Sequence, residues 1–160
     1  MIVNHPIEPF YDENSKVLIL GSFPSVKSRE QMFFYGHPQN RFWKVISKIF
    51  EKNEPKTIVE KKELLHSCRI AVWDVIASCE IIGSADSTIK NVIANDLSMI
   101  LENSKIDKII VNGKTAEKYF IKYIEPKINI KAISLPSTSP ANASYSIERL
   151  VEEWKNVILS

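Results

Sequence analysis

The run Val17-Leu18-Ile19-Leu20 limits the possible folds more than any other stretch, because four consecutive apolar residues leave no polar face to turn to water. Such a strand suits a sheet covered on both faces by helices; a half-exposed strand would alternate instead. It stops at the turn Gly21-Ser22-Phe23-Pro24-Ser25, and beyond a polar and aromatic loop the period changes. Phe42, Val45, Ile46, Ile49 and Phe50 recur at helical spacing and define one apolar stripe, with Asn40 at the helix start. In open α/β sheets the crevice beyond the carboxyl end of such a strand is where ligands bind, since loop backbone and helix amino termini converge there.

The alternation continues along the chain. Thr57 to Ser67 reads as a helix with a solvated face, and Ile70 to Trp73 as a second strand ending in Asp74. Residues 77 to 86 read as a loop, and Asn91 to Ser104 as a helix carrying Ile93, Leu97, Ile100 and Leu101. Lys108 to Val111 is a third strand, stopped by Asn112-Gly113. The helix from Lys114 is expected to bury Ala116, Tyr119, Phe120 and Tyr123 and to end at Pro126. Ile130 to Leu135 is a fourth strand, and Pro136 to Asn142 is too rich in proline and serine to extend it. A last helix, Tyr145 to Leu159, turns Ile147, Leu150, Val151, Trp154 and Ile158 inward. Residues 1 to 15, with Pro6 and Pro9, read as an irregular lead-in.

This pattern predicts an α/β fold: one domain over residues 1 to 160, a three-layer α/β/α sandwich on a central four-stranded, mostly parallel sheet. Right-handed crossovers put every carboxyl end on one edge. The Gly21 to Ser25 turn, Asp74 and its followers, Asn112-Gly113 and Pro136 to Asn142 must then be neighbours. Together they offer amides, hydroxyls, a carboxylate and aromatics, a set that suits a planar polar ligand.

Composition narrows the partners. A length of 160 residues is enough to bury roughly 70% of the surface of the unfolded chain without a disulfide or metal staple. A net charge of +2 permits an anionic partner without demanding one. Cys68 and Cys79 form no Cys-x-x-Cys, and His5, His37 and His66 lack ligand spacing, so neither a metal nor another cofactor is expected. No signal peptide or membrane span is read, which predicts a cytoplasmic or otherwise intracellular protein with access to DNA. A serine hydrolase would need a Gly-x-Ser-x-Gly elbow, and a nucleotide-binding module a Walker loop or Gly-x-Gly-x-x-Gly; the chain has none of these.

Six segments carry a more specific likeness: LILGSFPSVKSREQ (18 to 31), YGHPQNRFW (35 to 43), WDVIASC (73 to 79), GSADSTI (83 to 89), VNGKTA (111 to 116) and LPSTSPANA (135 to 143). In this order the chain resembles the uracil-DNA glycosylase superfamily, and within it the hypoxanthine-DNA glycosylase (DNA-deoxyinosine glycosylase) family. The resemblance implies a uracil-DNA glycosylase-like fold and a metal-free, monofunctional base-excision repair enzyme acting as a monomer. Such an enzyme turns a deaminated base, here hypoxanthine, out of DNA and hydrolyses its N-glycosidic bond with water. The alternatives are a uracil or mismatch-specific glycosylase and a non-catalytic nucleic-acid-binding relative.

The resemblance also assigns roles. Asn40 takes over the water-holding task, because Phe23 stands at the third position of the first motif, where the superfamily usually has Asp or Asn. Tyr35, with Phe34 as rival, stacks on the everted base. Asp74 reads its edge, accepting from the N1–H of hypoxanthine where adenine has a lone pair, and Asn112 is a further base or sugar contact. Leu135 replaces the histidine or asparagine that steadies the departing base anion, so that support is expected from backbone N–H groups near Ser22, Phe23 or Asp74, or from a protonated purine nitrogen. Ser25, Ser28, Ser137, Ser139 and Asn142 are the expected phosphate contacts. Each residue also has a plain structural reading: a core tyrosine, an aspartate cap, a turn asparagine, a helix N-cap at Asn40, surface serines.

Overall fold

The computed structural model describes all 160 residues. Its centre is a four-stranded sheet of β2 (Val17–Gly21), β3 (Ile70–Asp74), β6 (Lys108–Asn112) and β7 (Ile133–Leu135), in the order β3-β2-β6-β7. All three pairings are parallel. Successive residues of β2 feed opposite faces. Val17 and Ile19 enter a core shared with α2 (Phe42–Ile49), α3 (Ile58–Cys68) and α7 (Ile147–Ile158). Leu18 and Leu20 enter the core opposite, packed against Ala116 of α5 (Lys114–Tyr119) and against Phe120 and Ile124. A strand buried at every position needs apolar residues on both faces, as the run at 17 to 20 shows.

A second, antiparallel sheet departs from the sequence expectation. β1 (Ile2–Asn4) lies within the expected irregular lead-in, β4 (Ile76–Glu80) runs into the expected loop of residues 77 to 86, and β5 (Lys90–Ala94) overlaps the start of the expected helix from Asn91; they pair in the order β1-β4-β5. The physical reason lies in residues 90 to 94. Asn91 takes a left-handed backbone (φ 53°), which a helix does not admit at its first turn, and residues 90 to 94 pair along β4 instead. Only Ser98–Glu102 becomes helical (α4).

The helix from Lys114 is also not uniform. Residues Phe120–Ile124 widen into a π turn, which buries Ile124 where regular spacing had placed Tyr123. Tyr119 and Tyr123 are left half-buried, stacked on each other. Pro126 does not end the helix but occupies the first turn of α6 (Glu125–Ile128), where its missing N–H costs nothing. The fourth strand is shorter than expected, beginning at Ile133. A short helix, α1 (Val26–Gln31), lies inside what read as loop, capped by Ser25. No helix is long and apolar enough to cross a membrane.

Candidate active site

The carboxyl edge of the parallel sheet opens into a cleft of about 560 Å³, lined by the segments after β2, β3, β6 and β7 and by residues 84 to 87. That volume is in the range of small-molecule sites. Of the residues expected from sequence to contact base, water or phosphate, only Asn142 is absent from its lining.

Three indole N–H groups hold the loops around this cleft. Trp43 donates to the Phe34 carbonyl (3.1 Å), Trp73 to Ile7 (3.2 Å) and Trp154 to Pro136 (3.0 Å). Each tryptophan packs its ring against the core and spends its polar tip on the loop that carries a site residue. Arg41 adds a clamp: its guanidinium donates to the carbonyls of Ser139, Asn142 and Tyr145.

Tyr35 adopts a left-handed backbone (φ 53°), a strained state for a residue with a Cβ. Two contacts keep it there. The Gly36 N–H donates to Ser28 Oγ (2.9 Å), and the phenol ring stacks on Phe42 at 4.0 Å between centroids. Its hydroxyl is buried and has no hydrogen-bond partner. Burial pushes its pKa far up, the nearby Asp74 charge adds to this, and the Asn112 amide opposes it. The phenol therefore stays protonated, a donor without an acceptor inside the chain. Phe34 is only 2% exposed, packed against Phe33 and His5, so it offers little ring face to a ligand.

Asp74 is held by a residue that sequence reasoning passed over. His5 Nδ1 accepts the Ile7 N–H (3.2 Å), which puts the ring proton on Nε2, and Nε2 donates to Asp74 Oδ2 (2.8 Å). Asp74 Oδ1 takes no hydrogen bond from the chain and remains an open acceptor at the cleft. The only hint in the sequence was a histidine before proline, 69 residues from its partner.

Gly21 is where the backbone makes room. A Cβ there would lie 2.5 Å from Asp74 Oδ1 and 3.1 Å from the Tyr35 hydroxyl. β2 is paired on both sides and cannot retreat, so Gly21→Ala is expected to displace Asp74, costing about 1–3 kcal/mol of stability. Thermal unfolding would then show a folded but weakened protein, and ligand-dependent activity should fall far more than stability.

The other residues sort by what their polar atoms already do. Asn112 is buried, with Oδ1 accepting from the Thr138 N–H (3.1 Å) and Nδ2 donating to Thr138 Oγ1 (3.0 Å); most of its capacity to touch a base is spent. Ser28 is buried and fastens Gly36, which makes it a poor phosphate contact. Ser25 caps α1, and Ser137 and Ser139 accept from nearby backbone N–H groups while still facing the cleft. Asn142 turns its amide onto the Ser137 carbonyl. Phe23 is mostly buried, with His5 edge-on at 5.9 Å and Arg29 over its ring.

Ser22 Oγ donates to both oxygens of Asp86 (3.3 Å each). Burial raises the pKa of Asp86, hydrogen bonds from Ser22 and Thr115 pull it down, and the Asp74 charge raises it again.

Asn40 lies one residue before the position expected of a helix cap. Arg41 is the N-cap residue, yet Asn40 Oδ1 accepts the Phe42 N–H (2.9 Å). It also accepts from Thr138 Oγ1 (2.9 Å). The Asn40 Nδ2 group has no partner in the chain and is open to solvent.

A helix-covered parallel sheet with an aromatic wall, a fixed carboxylate acceptor and an open amide on its carboxyl edge defines a class of α/β protein whose cleft at the strand ends has the shape and polar groups to suit a flat, polar ligand. The comparisons specify the class. Residues 8–158 match the family model of the uracil DNA glycosylase superfamily, and the chain belongs to that superfamily. It is 36% identical over 151 residues to a hypoxanthine DNA glycosylase of Methanosarcina acetivorans, covering 91% of this chain and 92% of the relative. A hypoxanthine DNA glycosylase of Methanosarcina barkeri is 33% identical over 113 residues, 69% of this chain and 72% of that one. A solution NMR structure from Methanosarcina acetivorans, presented as a candidate uracil DNA glycosylase, superimposes with a TM-score of 0.82 at 33% identity, over 99% of this chain and 97% of that one.

Proposed function

We propose that this protein is a monofunctional DNA glycosylase that releases hypoxanthine from DNA, acting as a single-domain monomer wherever the cell keeps its DNA. The observation that carries the reading is the open Asp74 Oδ1, fixed as an acceptor by His5 at the end of β3. An everted hypoxanthine brings an N1–H donor to that oxygen, whereas adenine would bring a lone pair and be repelled. Tyr35, backed by Phe42, supplies a flat wall on which the base can stack. The two relatives named as hypoxanthine DNA glycosylases favour the same substrate. The single-domain reading is supported by β2 contributing to both cores.

In the reaction the C1′–N9 bond breaks with its electron pair passing to the base, leaving a sugar cation that water then attacks. Asn40 Nδ2 holds that water by donating to its oxygen, which positions it without removing its proton. The water gives up its proton to solvent after bonding to C1′, and the base anion takes one from solvent, so the two transfers balance. Until then the anion is met by the backbone N–H groups of Ser22 and Phe23, which have no partner in the chain and belong to residues lining the cleft. Ser25, Ser137 and Ser139 on its rim suit phosphate contacts.

The test is strand scission by alkali after incubation with oligonucleotides carrying one hypoxanthine or one uracil. Hypoxanthine strands should become alkali-labile, and uracil strands should do so slowly or not at all. A uracil rate well above the hypoxanthine rate would overturn the substrate assignment.

A further inference from the structure

We propose that Thr138 is the positioning residue that fixes which end of the Asn40 amide faces the cleft. This rests on the reading of Asn40 as the residue that holds the attacking water.

Backbone donors settle the polarity of the arrangement. The Phe42 N–H can only donate, so the Asn40 atom 2.9 Å from it is the oxygen. The Thr138 N–H likewise fixes the oxygen of Asn112 at 3.1 Å, which leaves Asn112 Nδ2 as the group 3.0 Å from Thr138 Oγ1. That hydroxyl receives a hydrogen from Asn112 and must send its own to Asn40 Oδ1, 2.9 Å away. The result is a relay of one sense, from Asn112 through Thr138 to Asn40, joining the ends of β6 and β7 to the loop before α2. Thr138 is wholly buried, and the Arg41 N–H donates to its carbonyl (3.0 Å), so its own placement is fixed from the neighbouring backbone as well.

Two donors fill the Asn40 oxygen, and only its N–H₂ end remains for the cleft. Without the threonine hydroxyl that oxygen would keep one bond, to Phe42, and the amide would be free to swing about it. A site that relies on a held water, with no base to draw off its proton, depends on the angle at which the water is presented. Thr138 thus acts on the reaction through Asn40 without touching the substrate.

The experiment is single-turnover excision from a hypoxanthine-containing duplex, with the DNA dissociation constant measured alongside, for Asn40→Ala, Thr138→Val and Thr138→Ser. Valine keeps the shape and removes the hydroxyl; serine keeps the hydroxyl. Thr138→Val should slow excision roughly ten- to hundredfold, the scale of losing one buried hydrogen bond at a reacting group, with DNA affinity within about twofold. Thr138→Ser should run close to the unaltered protein. If the valine variant does not fold, Thr138→Ala tests the same loss and should show the same defect. Excision by the valine or alanine variant at the unaltered rate, with Asn40→Ala inactive, overturns the inference and leaves the function reading standing. A serine variant as slow as the valine one also overturns it, since packing would then be responsible. Full activity in Asn40→Ala would instead remove the reading on which the inference rests.

Discussion

Asn40→Ala is expected to lower the single-turnover excision rate by roughly 10²- to 10³-fold, the scale seen when a preorganised hydrogen-bond donor is removed from a reacting centre. The structure allows that loss to be separated from a folding defect. The side-chain oxygen Oδ1 of Asn40 accepts the Phe42 N–H at the start of α2, and a lost cap of this kind costs about 1 kcal/mol. The helix retains the buried Phe42, Val45, Ile46 and Ile49 that hold it to the sheet. Thermal unfolding should therefore shift by a few degrees while excision nearly disappears. Asn40→Asp is the informative companion. One carboxylate oxygen can take the Phe42 and Thr138 donors, leaving the other to accept a proton from water, so residual activity should rise with pH through the carboxylate range. An Asn40→Ala variant with a several-degree loss of stability and near-normal excision would reduce this residue to a cap.

How much of this was legible in the chain depends on the range of the signal. The parallel strands were legible because burial on both faces demands apolar residues at every position, and Val17 to Leu20 or Ile109 to Val111 admit little else. Once those strands were in place, crossover handedness gathered the loops after Gly21, Asp74, Asn112 and Leu135 without further information. The antiparallel sheet was not legible, since β4 and β5 include Ser78, Glu80, Lys90 and Asn91, and the spacing of Ile93, Leu97 and Ile100 imitates a helix. Partners at the site were harder still. His5 meets Asp74 across 69 residues and Thr138 meets Asn40 across 98, with no periodicity to announce either contact. Residue type gave a capacity for hydrogen bonding in each case; only the fold determined whether that capacity was spent internally, as at Asn112 and Ser28, or left for a ligand, as at Asp74 Oδ1 and Asn40 Nδ2.

Asp74→Asn should be the sharpest test of base recognition, because His5 dictates how the new amide must sit. With Nδ1 accepting from the Ile7 N–H, His5 presents Nε2–H to residue 74, and only the amide oxygen can face it. The amide nitrogen then takes the place of Asp74 Oδ1, converting the open acceptor at the cleft into a donor of nearly the same size. Hypoxanthine would bring its N1–H against an N–H, leaving both unpaired in a partly desolvated slot. Sites built to hydrogen-bond one partner reject the mismatched one strongly, so excision of hypoxanthine should fall by at least about a hundredfold. Discrimination against adenine should narrow at the same time, since its N1 lone pair now meets a donor. Folding should be nearly undisturbed, because the bond to His5 survives and no volume changes beside Gly21. Excision of hypoxanthine by the variant within a few-fold of the original rate would show that the base is read elsewhere, and the fixed acceptor at the end of β3 would lose its place as the element of recognition.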